Sequence, residues 1–150
     1  MVNAAEQLAA ARATLNARCN TVEEAYEFML AYAAQGLPGD SGSQTGGQLR
    51  EMLSQAADVL RRLPVEYAEF INPDHVPTAR QLDAFRRVLD RDAADSLAAI
   101  ELVLAQRSIS SQLVDNLNAS IHLRALLTDL FLIDEVLNGL SQAAGGPSNS

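Results

Sequence analysis

Residues 121–140 read IHLRALLTDLFLIDEVLNGL, and this stretch decides the fold. Leu126, Leu130, Ile133, Leu137 and Leu140 recur at steps of three and four, the period of an α-helix and not of a strand. Leu123, Leu127, Phe131, Leu132 and Val136 add apolar surface around the flanks. A helix apolar on most sides belongs in the centre of a bundle or between two copies of a chain. Arg124, Asp129, Asp134 and Glu135 interrupt the run, which argues against a membrane span.

Working back from there, Leu113, Leu117 and Ile121 fall nearly opposite the Leu126–Leu140 stripe on a helical wheel. Either the helix breaks near Asn116–Ser120, where Asn and Ser are poor interior residues, or it changes partners midway. Thr78-Ala79-Arg80-Gln81 reads as a capping box opening a long helix to about Arg107. Leu82, Phe85, Leu89, Leu97, Ile100 and Leu104 are its core stripe. A helix from about Gln48 to Leu63 should stop at Pro64, with a short helical turn over residues 65–71 and a proline loop over 72–77. Residues 3–18 make a first helix, and Thr21-Val22-Glu23-Glu24 is a second capping box, opening a helix that ends at Gly36 and Pro38. Residues 36–47, with five glycines, are a loop. No strand alternation and no internal repeat is visible. The expected fold is all-α: an antiparallel bundle of about five helices, the two C-terminal ones long. It forms one domain over residues 1–142, with a disordered tail over 143–150.

The chain has 150 residues and a formal charge of -8. At that length about two-thirds of the extended surface can be buried. Hydrophobic residues make up 48%, aromatics only 5%, so the core must be aliphatic. All 11 basic residues are Arg, which with the many alanines suggests a GC-rich, bacterial coding sequence. An acidic chain gains nothing from counterion release, so neither nucleic acid nor an anionic membrane is an expected partner. Cys19 is the one cysteine, which excludes an intrachain disulfide and Cys-based zinc sites. The N-terminal stretch lacks the pattern of a secretory signal, so a cytoplasmic location is expected.

Three short motifs invite chemical readings. Gly39-Asp40-Ser41-Gly42-Ser43 resembles, over four residues, the nucleophile segment of trypsin-like serine proteases. That family needs an all-β scaffold and an upstream His and Asp. Here His75 and His122 both lie downstream, so the segment reads as a loop. Gly46-Gly47-Gln48 resembles the GGQ tripeptide of peptide-chain release factors, which accompany it with basic segments for ribosomal RNA. In an acidic chain it reads as a helix start, with Arg50 as the nearby cation and no P-loop spacing after it. His122-Leu123-Arg124-Ala125 departs from the H-x-L-K-G pattern of histidine phosphotransfer proteins. No Glu-x-x-His or His-x-x-x-His occurs, and Asp74-His75 has no visible third ligand, so neither a metal nor a cofactor is expected.

Asp115, Asn118, His122 and Asp129 form a polar stripe if the last helix is continuous; Asn118, His122 and Asp129, with Arg124 available for an anionic group, are the candidate residues for a small ligand. Leu126, Leu130, Ile133, Leu137 and Leu140 are the candidate interface. No catalytic constellation is visible. The expected function is non-catalytic: an accessory or regulatory protein acting through association with a protein partner, in the first place as a homodimer. The alternative is a sensor bundle with a polar pocket near Asn118, His122 and Arg124.

Overall fold

The computed structural model describes residues 3–71 and 78–144. Helix α1 (Ala4–Ala34) opens where Asn3 Oδ1 accepts the Glu6 N–H at 2.8 Å, an N-cap that supplies one of the first turn's orphan donors. It is one helix where two were expected. Thr21 does not cap a second start; its Oγ1 donates to the Ala17 carbonyl at 3.2 Å within the continuous helix. The buried stripe explains this. Leu8, Leu15, Cys19, Val22, Ala25, Met29 and Tyr32 run without a gap across the supposed boundary, and a break at Thr21 would uncover Val22 and Met29.

Helix α2 (Gln44–Phe70) starts four residues early, because Ser43 Oγ accepts the Gly46 N–H at 2.9 Å. It also runs straight through Pro64. A proline in a helix interior costs about 3 kcal/mol. On the far side of it Tyr67 is fully buried and its hydroxyl donates to the Leu82 carbonyl at 2.7 Å. Burial of Leu63 and Tyr67, at roughly 1.5–3 kcal/mol per large side chain, offsets the lost ladder bond.

Helix α3 (Ala79–Leu104) ends three residues short of Arg107. Thr78 makes no side-chain cap, and its Oγ1 is buried without a hydrogen bond. Helix α4 (Ser111–Ala119) is capped by Ser110 Oγ, which accepts the Leu113 N–H at 3.0 Å. Helix α5 (His122–Ala144) completes the chain. Of the two alternatives for the last segment, the break is the one observed. Ser120 closes α4 by donating its N–H to the Asn116 carbonyl and its Oγ to the Leu117 carbonyl at 2.6 Å. Ile121 then turns the chain with φ of 61°, a left-handed conformation that β-branched residues rarely adopt. Ala143 and Ala144 are helical, so α5 passes the expected boundary at 142; residues 145–150, and the loop holding Asp74 and His75, lie outside the described residues.

The fold is an all-α antiparallel bundle of five helices, with no strand among the described residues. Cross-helix pairs fix the directions. Arg18 of α1 meets Glu66 late in α2, at 2.9 and 2.7 Å. Tyr67 late in α2 reaches Leu82 early in α3, and Arg12 early in α1 meets Asp134 in the second half of α5 at 2.8 Å. The path is therefore up, down, up, down, with α4 and α5 sharing the last leg. The core is aliphatic, with Tyr32 and Tyr67 as its largest fully buried side chains. No helix among the described residues is long and apolar enough to cross a membrane.

Candidate functional site

The glycine-rich loop is a clasp at one end of the bundle. Asp40 is buried, and its Oδ1 accepts the Ile109 N–H at 2.6 Å. Its carboxylate also takes the Arg50 Nε–H. Arg50 reaches on to the carbonyls of Leu104, Gln106 and Arg107 at 3.2, 2.9 and 3.3 Å. These oxygens lie at the negative end of α3, where a helix leaves its last carbonyls without partners. Arg50, standing on α2, thus caps α3. Beside it Ser111 Oγ donates to the Tyr32 carbonyl at 2.6 Å and accepts the Leu37 N–H at 2.8 Å, while the Tyr32 hydroxyl donates to the Ile109 carbonyl at 2.7 Å. A Cβ on Gly46 would overlap the Asp40 carbonyl, and one on Gly39 the Ser108 hydroxyl. Gly46 is there for clearance, since its neighbour is backbone, whereas the Ser108 hydroxyl opposite Gly39 can rotate away. Arg50, and then the Ile109 N–H, hold the Asp40 carboxyl below the usual carboxylate range. Both the Asp40 of the protease-like motif and the Arg50 beside the GGQ-like tripeptide are occupied in holding two loops together.

The four candidate ligand residues are spread along the α4–α5 leg. Asn118 is in the last turn of α4 and His122 is the first residue of α5, on either side of Ile121. Both amide atoms of Asn118 are buried without a hydrogen bond. Arg124 is exposed. Asp129 lies two turns beyond His122, roughly 10 Å along the axis. It is buried and faces Asp92 of α3, and its Oδ2 has no donor in reach. Burial first, and the hydrogen bond and charge of Asp92 second, push the Asp129 carboxyl up to about 8. At neutral pH it keeps its proton and donates it to Asp92. Sequence patterning offers Asp129 only as a polar residue on a helix stripe; its acid partner on another helix has no signature.

Leu126, Leu130, Ile133 and Leu137 are buried in the chain's own core, and Leu140 packs half-buried against it. That burial needs no second copy. Cys19 is also buried. Burial first, then the charges of Glu23 and Asp134, push its thiol up to about 11, so little thiolate is present at neutral pH. Among the described residues no three side chains of metal-ligating type come together.

What remains outside is informative. Leu102, Phe131 and Leu132 are 67, 50 and 53% exposed, and Val88 is 43% exposed. An apolar groove of about 260 Å³ runs between α3 and α5, lined by Gln81, Phe85, Leu132 and Val136 among others. A second, of about 370 Å³, follows the outer side of α3 along Ala84, Arg87, Val88, Arg91 and Asp92. A third, of about 500 Å³, lies between α1 and α2 against Thr14, Glu66 and Glu69, and a fourth, of about 420 Å³, opens beside Leu37 and Asp115. None of these four is lined by Asn118, His122, Arg124 or Asp129. Comparison with protein-family models, with curated proteins and with solved structures finds no match.

Proposed function

We propose that the protein works by association, as a non-catalytic accessory or regulatory helical bundle whose first partner is a second copy of itself. The observation that supports this is the division of apolar side chains. The core is filled by the inner stripes of five helices, yet Val88, Leu102, Phe131 and Leu132 stand outside it on α3 and α5. Contiguous exposed apolar surface marks a contact site, and Phe131 and Leu132 stand side by side at the apolar α3–α5 groove that Leu132 lines. Three groups with nucleophilic or acid–base potential among the described residues are tied up in structural work: Cys19 in the core, Asp40 in the loop clasp, Asp129 against Asp92. With one buried thiol and only arginine as its basic residue, we place it in the cytoplasm of a bacterium.

Sedimentation of the full chain over a wide concentration range tests the reading. The expected result is a mass that rises from one chain toward two. In the triple variant Leu102→Ser, Phe131→Ser, Leu132→Ser that rise should fall away, with the melting temperature of the dilute protein unchanged. A mass of one chain, 16.1 kDa, at every concentration overturns it.

A second reading, a sensor for a small polar molecule at the α4–α5 junction, has one observation in its favour. The buried amide of Asn118 lacks a partner on both its atoms. A ligand that binds only the folded state raises the melting temperature, so a screen of small polar compounds on wild type and Asn118→Ala decides it. A shift lost in the variant supports the reading; no shift in wild type removes it.

A further inference from the structure

The outer face of α3 carries a second periodicity beneath its charges. Ala84, Val88, Arg91, Asp95, Ala98 and Leu102 follow one another at steps of four, three, four, three and four, and all six are exposed. That is the spacing of a coiled-coil seam, but this seam faces solvent. Leu102 is the most exposed large apolar residue described, and Ala84, Arg87, Val88 and Arg91 form the walls of the outer groove.

The seam is complementary to itself when reversed. In a two-fold symmetric pair of antiparallel helices, residue i meets residue j of the other copy and j meets i. Pairing Arg91 with Asp95 sets the whole register. It places Leu102 against Ala84 and Val88 against Ala98, a large side chain against a small one at each apolar layer. The flanking positions next to the groove then bring Arg87 toward Glu101. Neither Arg87, Arg91 nor Asp95 has an ion pair within the chain among the described residues, and Glu101 has only an exposed one, with Arg61 at 3.1 Å. The register thus gives charge-complementary partners to Arg87, Arg91 and Asp95, which have none among the described residues, and a second one to Glu101. On the opposite flank Asp92 approaches its own copy. There the raised Asp129 carboxyl reduces the negative charge that each chain brings.

We infer that α3 is a homodimerisation helix, docking antiparallel on α3 of a second copy through Ala84, Val88, Arg91, Asp95, Ala98 and Leu102. This rests on the association reading above and assigns its surface. The contact spans 19 residues, roughly 27 Å of helix. One helix pair sits at the small end of stable interfaces, so the dimer should dissociate on dilution.

The test uses charge reversal, with sedimentation of the full chain as readout. Arg91→Asp places two aspartates opposite each other twice in the pair, and Asp95→Arg places two arginines. Each variant alone should be a monomer at concentrations where wild type is a dimer, with its circular dichroism unchanged. An equimolar mixture restores both Arg–Asp pairs and should recover a dimer containing one chain of each kind. Arg91→Asp combined with Asp95→Arg in one chain should recover the homodimer. If wild type dimerises but both reversals still dimerise, or if mixing restores nothing, the α3 seam is overturned while the association reading stands. If wild type never exceeds one chain, both fall.

Discussion

Replacing Asp129 by Asn should invert the usual effect of losing a charge. Asp129 is buried against Asp92, and its carboxyl is raised to about 8. In the unfolded chain an aspartate titrates near 3.9. Between those values the folded chain holds a proton that the unfolded chain has released. Stability therefore falls as pH rises through that window and levels off above about 8. The full linkage is about 1.4 kcal/mol per pH unit, or about 4 kcal/mol from pH 5 to pH 8. Asp92 is only half-buried and water reaches its side of the pair, so screening reduces this to about 2 kcal/mol. For a chain of this size that is a drop of about 6 °C in melting temperature. Asn has the shape of the protonated acid, and its amide donates to Asp92 at every pH. Asp129→Asn should match wild type near pH 5 and exceed it by about 2 kcal/mol at pH 8. Thermal melts at pH 5, 6, 7 and 8, taken as the difference between variant and wild type, cancel the other titrating groups. Parallel curves across that range would refute the shared proton.

The clasp predicts the opposite sign. Asp40 titrates below its usual range, so its contribution is present at neutral pH and lost as pH falls through its folded value. Asp40→Asn should cost about 2 kcal/mol at pH 7 and progressively less as pH falls below the ordinary carboxylate range, read by urea unfolding. The two glycines of the GGQ-like tripeptide should differ. Gly46→Ala must push back the Asp40 backbone, whose carbonyl carbon would lie 2.7 Å from the new methyl, at about 2 kcal/mol, whereas Gly47→Ala meets nothing within 4 Å and should gain a few tenths to about 1 kcal/mol in helix propensity. Equal melting temperatures for the two would contradict the clearance argument. Ile121→Gly relieves a positive φ at a residue 59% exposed, so melting should rise by up to about 1 kcal/mol in stability, and a fall would show that the Ile121 side chain has work to do.

Helical class was legible in the sequence, because the period of Leu and Ile survives any error about ends; the count of about five holds with the two expected N-terminal helices joined and the last segment divided. The ends were less legible, and for one physical reason. Thr21 and Pro64 carry local signals for a start and a stop, each worth about 1–3 kcal/mol. Both sit inside stripes whose burial elsewhere in the bundle outweighs them: Cys19–Val22–Met29 in α1, Leu60–Leu63–Tyr67 in α2. Where no buried stripe crosses the signal, at Asn116–Ser120, the local reading located the break to within two residues. The candidate ligand residues fared differently. The stripe of Asp115, Asn118, His122 and Asp129 requires one continuous helix, and the turn at Ile121 separates Asp115 and Asn118 from the wheel that His122 and Asp129 share. Asp129 acquires its character from Asp92, 37 positions earlier, and no single-helix pattern contains that pair.

Hydropathy read along a chain reports how much surface must be hidden, and it says little about which surface is left. The α5 segment is the most apolar in the molecule, and most of that surface is absorbed by its neighbours α1 and α3. Helix α3 looks ordinary by composition, with four arginines and four aspartates between residues 79 and 95. Only after Leu82, Leu89, Ala93, Ile100 and Val103 are assigned inward does the remaining face become readable as Ala84, Val88, Arg91, Asp95, Ala98 and Leu102. On that face a lone Leu102 is no longer an incidental apolar residue. It stands at the end of a repeat whose reversed copy offers it an alanine, and whose central charges have opposite signs four residues apart. A solvent face with no partner needs none of those coincidences. A face that meets itself across a two-fold axis needs all of them, which is why the mixed pair of charge-reversed chains, and not the loss of either one, carries the decision.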